Sequence, residues 1–163
     1  MKRKRICLND FEQIFSEDFS YMDKIEFENR KIQMFARIVG CAFNAYNYFH
    51  AGMDELVYEA GLIVELEQHS MRVHRQEEFP IYYKGVPSPV KRRMDLVVSD
   101  RDLGDIIIEL KAIDYISDVQ RRQLWSYMKL MNCRYGMLIN FNNDGVYSED
   151  WELNLETGFC HRV

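Results

Sequence analysis

Three consecutive isoleucines, Ile106 to Ile108, run directly into Glu109-Leu110-Lys111. An unbroken apolar run of this length is a strand covered on both faces. Side chains alternate along a strand, so Glu109 and Lys111 project together while Leu110 points the other way. A carboxylate and an ammonium at the end of a buried strand are costly unless they pair or bind a cation. A second run, Arg93-Met94-Asp95-Leu96-Val97-Val98, precedes the first across the hairpin-like stretch from Arg101 to Gly104. If the two strands pair, Asp95, Glu109 and Lys111 converge. Two hard oxygen donors beside one ammonium suit Mg²⁺ or Mn²⁺ on a phosphate substrate. A plain carboxylate–lysine bridge at a strand end is the competing interpretation, and for an isolated E-x-K it is the commoner one.

The surrounding chain supplies helices for both faces of such a sheet. From about Lys31 to Phe49, Ile32, Phe35, Ile38, Val39, Ala42, Phe43 and Tyr46 recur at three- and four-residue steps, which predicts an amphipathic helix ending near Gly52. A second helix is predicted over about Asp54 to Gln68, with Asp54 and Glu55 in its first turn, where negative charge suits the helix dipole. Its apolar side is read as Leu56, Ala60, Ile63 and Val64, and Glu55 and Glu59 are surface neighbours four apart. Strands follow at Met71–Gln76 and Pro80–Tyr83, with a turn at Lys84-Gly85 and a loop punctuated by Pro87 and Pro89. A third helix is expected from Ile116 to Met131, carrying Val119, Leu124, Tyr127, Met128 and Leu130. A buried strand from Arg134 to Phe141 and a terminal hairpin turning at Thr157-Gly158 complete the pattern. The economical architecture is α/β, a central mixed sheet flanked by helices. Residues 1–30, with a helical turn at Asp10–Phe15 capped by Asn9 or Asp10, are read as an N-terminal appendage to a domain over 31–163.

Composition removes several alternatives. No apolar run reaches the roughly 18 residues that span a membrane. Cys7, Cys41, Cys133 and Cys160 stand far apart with no C-x-x-C, and the four histidines are scattered. Zinc and iron–sulfur sites therefore have little support, and buried thiols in a reducing, intracellular setting (cytoplasmic or nucleoid-associated) are expected. A net charge of −5 argues mildly against a protein that coats nucleic acid without specificity. It leaves room for a metal-dependent enzyme, because the cation neutralises its carboxylates and local basic clusters can hold phosphates. Lys2–Arg5, Lys91-Arg92-Arg93 and Arg121-Arg122 are such clusters, although most charge runs are solvated faces.

Five segments in order carry a resemblance. Gly52-Met53-Asp54-Glu55-Leu56-Val57-Tyr58 reads G-x-x-E-x-x-Y. It is followed by R-M-D-L-V-V (93–98), I-I-E-L-K-A (107–112), Q-L-W-S-Y-M-K-L (123–130) and L-I-N-F-N (138–142). Over roughly residues 32–142 the chain resembles the GxxExxY family of the PD-(D/E)XK nuclease superfamily. The resemblance implies a restriction-endonuclease-like core and a Mg²⁺-dependent nuclease, with Mn²⁺ as a substitute, that acts on DNA. It implies Glu55, Asp95, Glu109 and Lys111 as catalytic residues, and Gln123 and Tyr127 as the Q-x-x-x-Y pair beside them. Asp95, Glu109, the Leu110 carbonyl and Glu55 become the expected metal ligands. Arg93, Arg121 and Arg122 are the candidate phosphate binders. A homodimer is a further expectation from relatives. The chain departs from the family where Tyr46 holds the usual histidine position and His50-Ala51 replaces Gly-Pro. The alternative function is a nuclease-fold module that binds nucleic acid or a protein and cleaves little or nothing.

Overall fold

The computed structural model describes residues 21–163. The expected turn at Asp10–Phe15, the basic cluster Lys2–Arg5 and Cys7 lie outside the described residues. The chain order is α1 (Tyr21–Phe49), α2 (Glu55–Gln68), β1 (Arg72–Tyr83), β2 (Val86–Asp100), β3 (Gly104–Lys111), α3 (Asp118–Leu130), β4 (Tyr135–Asn142), β5 (Gly145–Leu153) and β6 (Cys160–Arg162). Among the described residues the strands form one six-stranded sheet in the order β1-β2-β3-β4-β5-β6. Only β3 and β4 pair in parallel, with α3 as their crossover; the other neighbours are antiparallel. This is the expected mixed sheet flanked by helices, a restriction-endonuclease-like core.

Strand alternation divides the core. Ile106, Ile108 and Leu110 pack with Ile38, Leu62 and Leu66 on the side of α1 and α2. Ile107 packs with Leu124, Tyr127 and Met128 on the side of α3. By the same parity Glu109 and Lys111 follow Ile107. Each fully buried isoleucine contributes about 1.5–3 kcal/mol relative to exposure, so β3 is held between two apolar layers and its register is fixed. Helix α3 lies close to β4 because Gly136 leaves room: a Cβ there would stand 2.6 Å from Met128 Sδ and 3.0 Å from Leu124 Cδ1.

Several boundaries differ from the sequence expectations. Helix α1 starts at Tyr21 rather than near Lys31, so residues 21–30 are its opening turns. Its buried face is Met34, Phe35, Ile38, Cys41, Ala42 and Ala45, whereas Ile32 and Phe43 are exposed. In α2 the buried side chains are Tyr58, Glu59, Leu62 and Leu66, and Leu56 and Val64 face solvent. That helix is apolar on nearly every side, so spacing alone does not choose the face. Val119 and Leu130 of α3 are likewise exposed. The two short strands before Lys84 are one strand, and the Pro87–Pro89 segment belongs to β2. Pairing of β2 with β3 runs only from Asp100 to Leu96, so both prolines sit where β2 has a single neighbour. A missing ladder donor is tolerated on such an edge.

Candidate active site

The sheet forks at Asp95. β2 and β3 pair from Asp100↔Gly104 as far as Leu96↔Ile108, while β3 and β4 remain paired through Lys111↔Asn140. At the fork the Leu110 N–H donates to Asp95 Oδ2 at 2.9 Å. A side chain thus takes the place of the next backbone acceptor, which fixes the carboxylate at the mouth of the opening. On the other flank of β2, Gln76 lies between the pairs Arg75↔Leu96 and Glu77↔Met94, and its φ is 46°. A left-handed backbone is uncommon for a residue with a side chain, and it marks a local distortion opposite Asp95.

Glu109 is 1% exposed. The Lys111 ammonium donates to Glu109 Oε1 at 2.6 Å and to the Leu110 carbonyl at 2.8 Å. The second carboxylate oxygen, Oε2, is buried and has no hydrogen-bond partner among the described residues. Burial, followed by the charge of Asp95, pushes the Glu109 carboxyl up to about 7 despite Lys111. Asp95 is also raised, mainly by burial, with the Leu110 N–H and then Lys111 opposing. For Lys111, burial pulls downward, but Glu109, Glu55 and Asp95 together hold the ammonium above its ordinary value. In this state the acids around it favour the ammonium form of Lys111.

Glu55 arrives from the start of α2, and the G-x-x-E-x-x-Y spacing explains how. His50 and Gly52 turn the chain with φ of 62° and 92°. The Tyr58 hydroxyl donates to the His50 carbonyl at 2.6 Å and accepts from the Met53 N–H at 3.4 Å. The Tyr58 ring stacks on Phe141 at 4.4 Å between centroids. Asp54 caps the helix by accepting from the Val57 N–H at 3.1 Å. Gly52 makes the turn, Tyr58 pins it to the sheet, and Glu55 is delivered between them. Its carboxyl is raised by burial, lowered by Lys111 and raised again by Asp95, which places all three in one electrostatic cluster. Tyr46, at the family's histidine position, instead donates to the Asn143 carbonyl at 3.2 Å.

Glu59, one turn on, is the member of this neighbourhood that sequence reasoning left on the surface. It is 1% exposed and accepts from Arg75 Nε and from Gln76 Nε2. Its charge raises both Glu55 and Asp95. The four-residue spacing from Glu55 was the available signal. Behind Lys111, the buried Asn140 amide donates to the Ile113 carbonyl at 2.8 Å and its oxygen accepts from the Ile113 N–H at 3.0 Å. These bonds fix the exit of β3. A cavity of about 230 Å³ opens beside it, lined by Gly52, Met53, Ala112, Ile113, Asn142 and Asn143 among others.

The remaining expected residues are placed differently. Ser117 and Gln120 form a capping box on α3, which covers the same sheet face as Glu109. On that helix Gln123 Nε2 donates to the Tyr127 hydroxyl at 3.2 Å, and Tyr127 meets Phe79 edge to face. Among the described residues neither hydrogen-bonds to Asp95, Glu109 or Lys111. The Arg121 guanidinium is committed to structure: it grips Glu149 at 2.7 and 2.8 Å and Asp118 at 2.9 Å. Arg122 is exposed to solvent, and Arg93 is exposed two residues from Asp95, whose carboxyl it lowers.

Among the described residues no three acidic, histidine or cysteine side chains form a ready-made metal cluster. The donors that fit a hard cation are two carboxylates, Asp95 and Glu109, with the Leu110 carbonyl directly after Glu109 in sequence. The orphaned Glu109 Oε2 and the mutual repulsion of the acids are what a cation at this position relieves. The family model described as the PD-(D/E)XK nuclease superfamily matches residues 32–152. The chain belongs to the PD-(D/E)XK nuclease superfamily. Members of this superfamily are nucleases that generally use divalent metals and bind nucleic acid. A crystal structure described as that of SSO0001 is similar at 20% identity and a TM-score of 0.47, covering 64% of this chain and 54% of that one. The chain therefore spans about half the length of that relative. No curated protein matches the chain. No helix among the described residues is long and apolar enough to cross a membrane.

Proposed function

We propose that this PD-(D/E)XK protein is a Mg²⁺- or Mn²⁺-dependent nuclease that hydrolyses phosphodiester bonds in DNA, and that it belongs to the GxxExxY branch. The turn-locking roles of Gly52 and Tyr58 on either side of Glu55 support the branch assignment. The observation that carries the function is the buried Glu109 carboxylate at the fork, with one oxygen on Lys111 and the other unpartnered. Among the described residues this pair leaves one buried acceptor without a hydrogen-bond partner, an arrangement that a bound cation would satisfy.

Asp95, Glu109 and the Leu110 carbonyl would hold the cation, and Glu55, which feels the charges of Lys111 and Asp95, adds negative charge to the cluster. When bound, Mg²⁺ or Mn²⁺ supplies Lewis-acid polarisation of the phosphate and acidifies water. Asp95 is anchored by the Leu110 N–H and needs no reorganisation to present its free oxygen. Lys111, held as an ammonium, neutralises charge that builds on the scissile phosphate and orients the attacking water. Gln123 and Tyr127 brace each other on α3 and serve to place substrate. Arg93, leading into Asp95, is positioned to meet phosphate.

The test is cleavage of labelled single- and double-stranded DNA in EDTA, Mg²⁺ or Mn²⁺, wild type beside Lys111→Ala. Cleavage that needs metal and falls by about 100-fold or more in the variant supports the assignment. Absence of cleavage by folded wild type with either metal, together with metal-indifferent DNA binding, would favour a binding module instead.

A further inference from the structure

Beyond Phe79 and Met94 the β1–β2 hairpin leaves the body of the sheet. Those two side chains are buried against α3, whereas Tyr82, Tyr83, Val86 and Val90 are exposed, the tyrosines by 62% and 70%. The strands turn through Lys84 and Gly85 with φ of 50° and 78°, a two-residue turn of the kind that matches strand twist. The result is a two-stranded arm roughly 20 Å long. Its charge is unlike that of the molecule. Residues 79–94 hold Lys84, Lys91, Arg92 and Arg93 and no acidic residue, in a chain of net charge −5; Glu77 and Glu78 precede them, and the exposed Lys91 ammonium lies 3.7 Å from Glu78, a solvent-screened pair that a phosphate can displace. At the tip the Lys84 ammonium lies 5.5 Å from the centroid of the Tyr83 ring. At the root, Arg93 is two residues from Asp95.

We propose that this arm is the nucleic-acid clamp of the enzyme and that it holds a single-stranded segment. Lys91, Arg92 and Arg93 contact phosphates, and Tyr82 and Tyr83 offer ring faces to unpaired bases. Exposed aromatics beside cations on one projecting element are the chemistry of single-strand binding. An alternative occupant, a strand from a second copy, is opposed by Pro87 and Pro89, which remove ladder donors from the β2 edge of the arm. The direct continuity of β2 into Asp95 means that a strand held along the arm is led to the acidic cluster. The inference rests on the nuclease reading for its purpose but is tested without cleavage.

Binding of fluorescent oligo(dT) and of a blunt duplex is measured by anisotropy in EDTA over a range of salt. Wild type is compared with Lys91→Gln/Arg92→Gln/Arg93→Gln and with Tyr82→Ala/Tyr83→Ala, all at exposed positions. The tyrosine variant should lose at least about fivefold in affinity for oligo(dT) and little for duplex. The basic-residue variant should bind more weakly, with a salt dependence shallower by about 2 in log–log slope, about 0.7 per lost phosphate contact. Unchanged affinity and slope in both variants, or equal losses on duplex and single strand in the tyrosine variant, overturn the proposal. So does sedimentation showing that the arm variants only convert a dimer to a monomer. Arm-dependent binding without cleavage in Mg²⁺ would remove the nuclease reading alone; Lys111-dependent cleavage with arm-indifferent binding would remove the clamp alone.

Discussion

Glu109 concentrates the chemistry of the site in one carboxyl group. Its folded value of about 7 stands above the ordinary 4.5, so the native protein keeps a proton that the unfolded chain has already released. Stability from this group is complete below about pH 4.5 and is lost as pH rises to about 7, a change on the order of 3 kcal/mol. Glu55 and Asp95 are shifted in the same direction. Urea unfolding in EDTA should therefore show wild type weakening between about pH 4.5 and 7 and Glu109→Gln weakening distinctly less. Equal slopes would place the buried titration elsewhere. Asp95, Glu109 and Lys111 were legible in the sequence because strand alternation is rigid: once Ile106–Ile108 is a buried strand, the next side chains have little freedom. Glu59 was not, because α2 carries apolar residues on most of its circumference and spacing cannot rank its faces. Only the fold, by setting Arg75 and Gln76 against it, makes that carboxylate an interior group.

At the scale of elements, the α1–α2 turn and α3 offer a contrast. Tyr58→Phe removes a hydroxyl bonded to the His50 carbonyl and the Met53 N–H, and should cost about 1–2 kcal/mol of stability. Ser117→Ala removes the N-cap of α3, at a similar cost of about 1 kcal/mol. Chemical denaturation should find the two alike, whereas the cleavage assay should separate them, because only the first loosens the turn that delivers Glu55. Element types followed from the sequence wherever periodicity was clean, as in β3, β4 and the Thr157-Gly158 hairpin. The arm was hidden because proline normally ends a strand. It does not do so here, since the missing donors of Pro87 and Pro89 fall on an edge that pairs with nothing further. The opening turns of α1 were equally hard to read, because Lys31 is buried through ion pairs to Glu28 and to the distant Glu152.

Over the whole molecule, a cation bound only by the folded chain stabilises it by mass action, about 2.7 kcal/mol at a hundredfold excess over Kd. Melting of wild type should rise with added Mg²⁺ or Mn²⁺, and that rise should be small or absent in Asp95→Asn, which retains an oxygen for the Leu110 N–H. An equal rise in both proteins would move the metal site away from the fork. The fork has another consequence. Where β2 has parted from β3, the Leu110 amide is shielded not by a neighbouring strand but by a titratable side chain. Its proton is thus a built-in gauge of the Asp95 carboxylate: its exchange with deuterium slows or quickens as that one group gains a proton, takes up a cation or gives way to substrate, with no turnover required to read it.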